Sequence, residues 1–203
     1  LVTGTCLAEA GHTVICVDNN EAKVQELKAG KIPIYEPGLE ELVRRNVQLK
    51  RLSFTASTRE AVANSEVIFI AVPTPLDVDR NPDLSYVHAA SDLIAQQVKS
   101  PALIINESTS YPGTLRKEIA ARIVGVEHLY ASSPERVDPG NTQWGTKNTP
   151  RLIGGLTPAA VAKAREFYGS FCDSIIEVSS PEVAEAAKIF ENTFRQVNIA
   201  LVN

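Results

Sequence analysis

Methionine is absent from the 203 residues, so the chain does not open on an initiator. It opens on LVTGTCLAEAGH, a helical pattern closed by a glycine stop at Gly11, which predicts a chain that starts inside an element. Long apolar runs are lacking too. None approaches the ~20 residues that span a bilayer, and no basic-then-apolar leader stands at the front. A soluble, cytoplasmic protein is the expectation. Neither sign of charge dominates, with 20 Lys and Arg against 24 Asp and Glu, a net charge of -4 and a pI near 5.5. No basic footprint therefore invites nucleic acid. Cysteine is scarce: Cys6, Cys16 and Cys172 are odd in number, far apart and set in apolar contexts, which fits a reducing compartment better than a disulfide framework. Internal repeats, low-complexity tracts and any linker before about residue 178 are also missing.

What is present is alternation. Hydrophobic residues make up 44% of the chain, enough for one domain with a core, or one domain plus an appendage. Apolar, β-branched runs occur at TVICV (13–17), SFT (53–55), VIFIAV (67–72), ALIIN (102–106) and HLYAS (128–132), with shorter runs at RLIGG and SIIEV. Helical spacing lies between most of them, at 20–29, 38–48, 58–63, 84–98, 113–122 and 158–171. Strands alternating with helices predict an α/β fold with a doubly wound parallel sheet covered on both faces. The closing PEVAEAAKIFENTFRQVNIALVN has no stop signal before Asn203, which predicts the start of a long helix and a chain cut at both ends.

In such a sheet ligands bind beyond the carboxyl ends of the strands. Asp18 follows the first run, where a carboxylate accepts hydrogen bonds from the two hydroxyls of an adenosine ribose. Its charge would repel a 2′-phosphate and no arginine follows, so NAD is favoured over NADP, with Lys23 near the same ribose. An aspartate there serves equally as a helix cap. Small residues Gly4, Ala8 and Ala10 would let the first helix pack closely. At IAVPTPLDVDRNPDLSYV the prolines hold backbone groups open and Thr74 offers a hydroxyl; the plain alternative is a loop capped at Asp83 or Ser85. At INESTSYPGTLRKE, Glu107, Ser108 and Thr109 would project into the crevice, where a carboxylate beside hydroxyls can orient a water or a sugar hydroxyl. YPGT would then turn into a helix whose first amides carry partial positive charge; the alternative role for this segment is an N-terminal cap.

The next strand end is SSPERVDPGN, a rigid loop that presents Glu135, Arg136 and Asp138. In the last helix Lys188, Asn192 and Arg195 recur at i, i+4 and i+7, hence on one face. A solvated stripe is the ordinary meaning of that pattern. The flanking apolar residues make a wholly exposed one less natural.

LVTGTCLAEAGHTVICVDNN, IYEPGLEELV, IAVPTP, PDLSYV, ESTSYPGT, SPERVDPGN and AKIFENTFRQVNIALVN together resemble the nucleotide-sugar 6-dehydrogenases, the UDP-glucose/GDP-mannose dehydrogenase family. ESTSYPGT and SPERVDPGN look most like the UDP-N-acetylglucosamine branch. The resemblance implies a Rossmann-like NAD-binding domain over 1–178, N-terminally truncated before its glycine-rich turn, and the start of a central, dimer-forming helix over 179–203. It implies NAD-dependent oxidation of the C6 alcohol of a UDP-sugar to a uronic acid for polysaccharide precursors. The route uses two NAD and passes through a cysteine-bound thiohemiacetal and thioester. In that scheme Thr109 orients the hydrolytic water, Glu135 handles substrate and protons, and Lys188 stabilises the developing oxyanion. Asn192 holds the same oxygen or the water, and Arg136 pairs with a substrate oxygen or a neighbouring acid. Arg195, on the face of Lys188 and Asn192, joins the substrate contacts.

The match has two gaps. A family glutamate four residues beyond the Glu135 position is Pro139 here, with Asp138 the nearest acid. The family's nucleophilic cysteine lies beyond Asn203, so this segment alone is expected to be inactive. No metal site is expected. A UDP-glucose or UDP-N-acetylmannosamine enzyme, a non-catalytic nucleotide-binding module and a hydroxyacid-type NAD enzyme are the competing readings.

Overall fold

In a computed structural model describing residues 1–34, 36–136 and 145–203, the elements run α1 (Val2–Glu9), β1 (Val14–Val17), α2 (Glu21–Lys28), α3 (Leu39–Gln48), β2 (Leu52–Thr55) and α4 (Thr58–Val62). They continue with β3 (Val67–Ile70), α5 (Ser85–Gln97), β4 (Leu103–Asn106), a wide π-type helical stretch (Leu115–Ala120) and β5 (Leu129–Ser132). The last are β6 (Arg151–Gly155), α6 (Pro158–Tyr168), β7 (Ile175–Glu177) and α7 (Pro181–Val202). Each expected strand and helical stretch is found. The one change of type is 113–122, whose centre is π-type rather than α.

Local chemistry starts several helices. The Asn20 side chain accepts the Lys23 N–H at the head of α2, Ser57 accepts that of Glu60 at α4, and Thr157 accepts that of Ala160 at α6 with Pro158 in the first turn. Strand β4 shows how the layers build, because all its residues are buried and successive side chains face opposite ways. Ile104 joins a cluster with Val87 and Ile94 of α5 and Leu115 and Ile119 of the π-type stretch. Leu103 and Ile105 join another with Leu7 of α1 and Ala164 and Tyr168 of α6. Helices therefore cover both faces, as a doubly wound sheet requires.

Close approach explains two glycines. A Cβ on Gly4 would stand 2.8 Å from Cys16 Sγ, so α1 lies tight on β1; one on Gly154 would stand 2.4 Å from the Ser180 carbonyl, where α7 starts against β6. Ala8 is fully buried beside Gly4, but Ala10 is exposed.

The sheet departs from an all-parallel one. Strands β1 and β2 pair in parallel with each other, and β3, β4 and β5 do likewise, but β6 runs antiparallel to β5 and carries β7 with it. Among the described residues no ladder joins β1 to β3. An apolar run reads the same in either direction, so strand spacing alone could not announce the reversal. Among the described residues, no helix is long and apolar enough to cross a membrane.

Candidate active site

The reversal at β6 shapes the site. Ala131 pairs with Gly155 and Ser132 with Gly154; continued along both chains, that register sets Glu135 opposite Arg151. The first residue of β6 thus arrives at the edge where β4 and β5 end. Arg151 Nη1 donates to Glu107 Oε1 (3.2 Å), just past β4, and Nη2 donates to Glu135 Oε2 (2.9 Å), just past β5. The guanidinium also stacks 5.1 Å from the Tyr168 ring, and the Tyr168 hydroxyl donates to Glu107 Oε1 (3.2 Å).

Burial differs sharply within this group. The Arg151 and Glu107 side chains are 3% and 4% exposed, whereas that of Glu135 is 32% exposed. Burial and the neighbouring Glu135 charge push Glu107 up to about 7 against the pull of Arg151. Burial draws Arg151 down, but Tyr168, Glu107 and Glu135 together raise it, so the arginine stays charged. With Glu107 pushed toward its neutral form, the accessible negative charge of the cluster lies on Glu135. That carboxylate also accepts the Thr3 hydroxyl (3.2 Å) and the Arg136 N–H (2.8 Å).

Helix α7 brings the other predicted groups. Lys188 is half-buried and its pKa is lowered, first by burial and then by Arg195 and Arg136, against Glu191 and Glu135. Lys188 and Glu135 therefore share one electrostatic neighbourhood. Asn192 is partly buried on the same face and Arg195 is exposed. Arg136 donates through Nε and Nη2 to Glu191 and through Nη1 to the Pro150 carbonyl (2.9 Å). The acid it pairs with is thus on α7, not beside it in sequence. Asp138 and Pro139 lie outside the described residues.

A second carboxylate sets the rotation of α7. Glu185 is 1% exposed and accepts the N–H groups of Gly113 (2.6 Å) and Leu115 (2.8 Å). The amides that the sequence suggested for a ligand are therefore already taken. Burial outweighs these two bonds and pushes Glu185 up to about 7. Lys188 and Asn192 follow at i+3 and i+7, on the face that Glu185 fixes.

The cofactor edge is built differently. Asp18 Oδ1 accepts the Asn20 N–H (3.0 Å) and Oδ2 pairs with Lys23, while the cap of α2 is Asn20, not Asp18. Burial acts to raise Asp18, but Lys23 and the Asn20 amide hold it below the ordinary carboxylate range. An ionised aspartate, 27% exposed past a strand end, is the acceptor that a pair of ribose hydroxyls needs, so these residues fit the adenosine half of a dinucleotide. Thr74 donates to the Thr109 carbonyl (2.6 Å), and the Ser108 hydroxyl accepts the Val72 N–H (2.9 Å). These bonds clamp the proline loop to the loop after β4. Thr109 itself is partly buried at the clamp.

Arg151, Tyr168, Glu185 and Glu191 escaped the sequence reading. An arginine heading an apolar strand was the available signal for Arg151, and an acid on the packed side of the α7 pattern was the signal for Glu185. Burial raises the thiols of Cys6, Cys16 and Cys172, which disfavours their thiolates.

Comparison with known proteins agrees with this geometry. Residues 1–172 match the model of the UDP-glucose/GDP-mannose dehydrogenase family, NAD binding domain. A UDP-glucose 6-dehydrogenase of Bacillus subtilis is 37% identical over all of this chain and 45% of its own length; a UDP-N-acetyl-D-mannosamine dehydrogenase of Methanococcus maripaludis is 38% identical over all of this chain and 47% of its own. The solved UDP-D-ManNAc dehydrogenase of Pyrococcus horikoshii superposes with a TM-score of 0.89 at 34% identity, covering 98% of this chain and 49% of that one. The chain spans about half the length of the curated relatives it matches. NAD is the dinucleotide of this domain, and the chain belongs to the UDP-glucose/GDP-mannose dehydrogenase family.

Proposed function

We propose that this chain forms the NAD-binding part of a nucleotide-sugar 6-dehydrogenase, which oxidises the C6 alcohol of a UDP-sugar to the uronic acid. The observation that supports this best is that a partly exposed carboxylate, Glu135, and a half-buried ammonium, Lys188, lie within electrostatic reach of each other. When bound, NAD accepts a hydride, and full oxidation of an alcohol to a carboxylate takes two such transfers. Glu135 takes the proton released from the alcohol and positions the water with Thr109. Lys188 opposes the negative charge that grows on the substrate oxygen, where a half-buried cation acts through a lower dielectric than water. Asn192 donates to the same oxygen or to the water. Asp18 and Lys23 hold the adenosine ribose, and Thr74 fixes the loop against which the cofactor lies. Arg136 and Arg195 line the sugar-nucleotide side.

Residues 1–178 act as the cofactor domain and 179–203 as the start of a central helix. The exposed Phe190, Phe194, Val197 and Leu201 along that helix favour burial in a homodimer of the full-length protein. UDP-N-acetylglucosamine is our choice of sugar, on the strength of ESTSYPGT and SPERVDPGN. The acyl-carrying cysteine is not one of the three in this chain. The test is NADH formed per sugar consumed by the full-length protein, offered UDP-N-acetylglucosamine, UDP-glucose and UDP-N-acetylmannosamine in parallel. Two NADH from the acetylglucosamine sugar support the whole reading. Two from another of the sugars correct the substrate, one NADH indicates hydroxyacid-type chemistry, and none indicates a nucleotide-binding module.

A further inference from the structure

We infer that Arg151 is a positioning residue for the reaction: from a buried seat on β6 it fixes the orientation and ionisation of the Glu135 carboxylate. This deepens the function proposed above and rests on it. Three features support it. Arg151 is almost wholly buried yet touches the one partly exposed acid of the cluster, so it can act on substrate only through Glu135. Its guanidinium is held on the far side by Glu107, which in turn accepts the Tyr168 hydroxyl, so it cannot swing away. The clamp is also reciprocal: Arg151 grips Glu135 while the next residue, Arg136, grips the Pro150 carbonyl that precedes Arg151.

A fork with its two arms on two carboxylates sets direction as well as charge. Glu135 is thereby kept ionised and aimed, ready to receive a proton. The charged and titratable groups around it are Glu107 past β4, Arg136 in its own loop, Arg151 on β6, Cys6 on α1, Cys172 past α6 and Lys188 on α7. Arg151 donates to the Glu135 carboxylate through its guanidinium, Arg136 through its backbone N–H and Thr3 through its hydroxyl.

The test uses the full-length protein with NAD and its UDP-sugar. Arg151→Met alone would strand Glu107 in the interior, so it is made together with Glu107→Gln, which removes both buried charges; Arg151→Lys is the conservative partner. In the double variant kcat is expected to fall about 10²-fold, the KM for NAD to stay, and the acid limb of the kcat profile to move up by about one pH unit. Arg151→Lys should restore part of kcat and most of the limb. A double variant that loses thermal stability but keeps kcat and its acid limb overturns the proposal and makes Arg151 purely structural. If the unaltered protein forms no NADH from any UDP-sugar, the reading of function fails instead. The inference is then decided by the Glu135 carboxyl resonance, assigned by its loss in Glu135→Gln: its titration must move up in the double variant, and an unmoved titration overturns it.

Discussion

Two strand ends of this molecule carry paired charges and use them in opposite ways. At the end of β1, Asp18 and Lys23 sit five residues apart, with side chains 27% and 44% exposed, and their pairing follows from one turn of chain. At the ends of β4, β5 and β6, Glu107, Arg151 and Glu135 come from segments far apart in sequence, and two of the three side chains are buried. An exposed pair contributes little stability, because water and salt screen it, and so it is free to exchange partners with a ligand. A buried pair has no such freedom. Removing Arg151 or Glu107 strands the other, so this buried pair holds geometry rather than exchanging partners.

The sharpest way to break this contrast is Arg151→Met. It should destabilise the full-length protein by roughly 3–5 kcal/mol, measured by urea denaturation, because Glu107 is left without its cation in the interior. Adding Glu107→Gln should recover much of that loss. Equal stability of the single variant and the unaltered protein would show that water reaches the triad. Next in size is Glu135→Gln, which keeps the shape of the partly exposed arm but not its charge. Turnover should fall about 10²-fold in steady-state assays with little change in melting temperature. Asp18→Ala follows, with the KM for NAD raised about tenfold and kcat kept, the loss of a charge-assisted bond to the ribose.

The smallest effect concerns a third kind of charged site, Glu185, which is buried and accepts two backbone N–H groups. Its pKa is raised to about 7 from an ordinary value near 4.5, so the folded state holds its proton more tightly than the unfolded chain does. Its contribution to stability is full below about pH 4.5 and declines as pH rises toward about 7. Glu185→Gln should flatten that decline in denaturation midpoints measured across the window. A steeper decline in the variant would reverse the sign assigned to burial.

The same contrast explains what could be read before the structure. Strands, helices and the glycine stop at Gly11 were legible because period and caps are local features. Asp18 was legible as an acid behind a strand; Lys23 was placed near the same ribose, and its pairing with Asp18 came from the structure. Lys188, Asn192 and Arg195 were legible as a helical face, though not that Glu185 fixes how this face is turned. Arg151 was hidden because its role depends on β6 running against β5, and RLIGG carries the same apolar signal in either direction. For Arg136 the sequence offered a substrate oxygen or a neighbouring acid, and the acid it pairs with, Glu191, was hidden because it lies 55 residues away on another element.

The proposed function divides the labour: the β1 edge would bind the cofactor and the β4–β6 edge would perform the proton chemistry. A single NAD titration, run side by side on full-length protein, Asp18→Ala and Glu135→Gln at saturating UDP-sugar, tests it most directly. The account predicts a raised KM for NAD with intact kcat for Asp18→Ala, and a depressed kcat with intact KM for Glu135→Gln. Both variants changing the same parameter, or Glu135→Gln turning over at the unaltered rate, would contradict it.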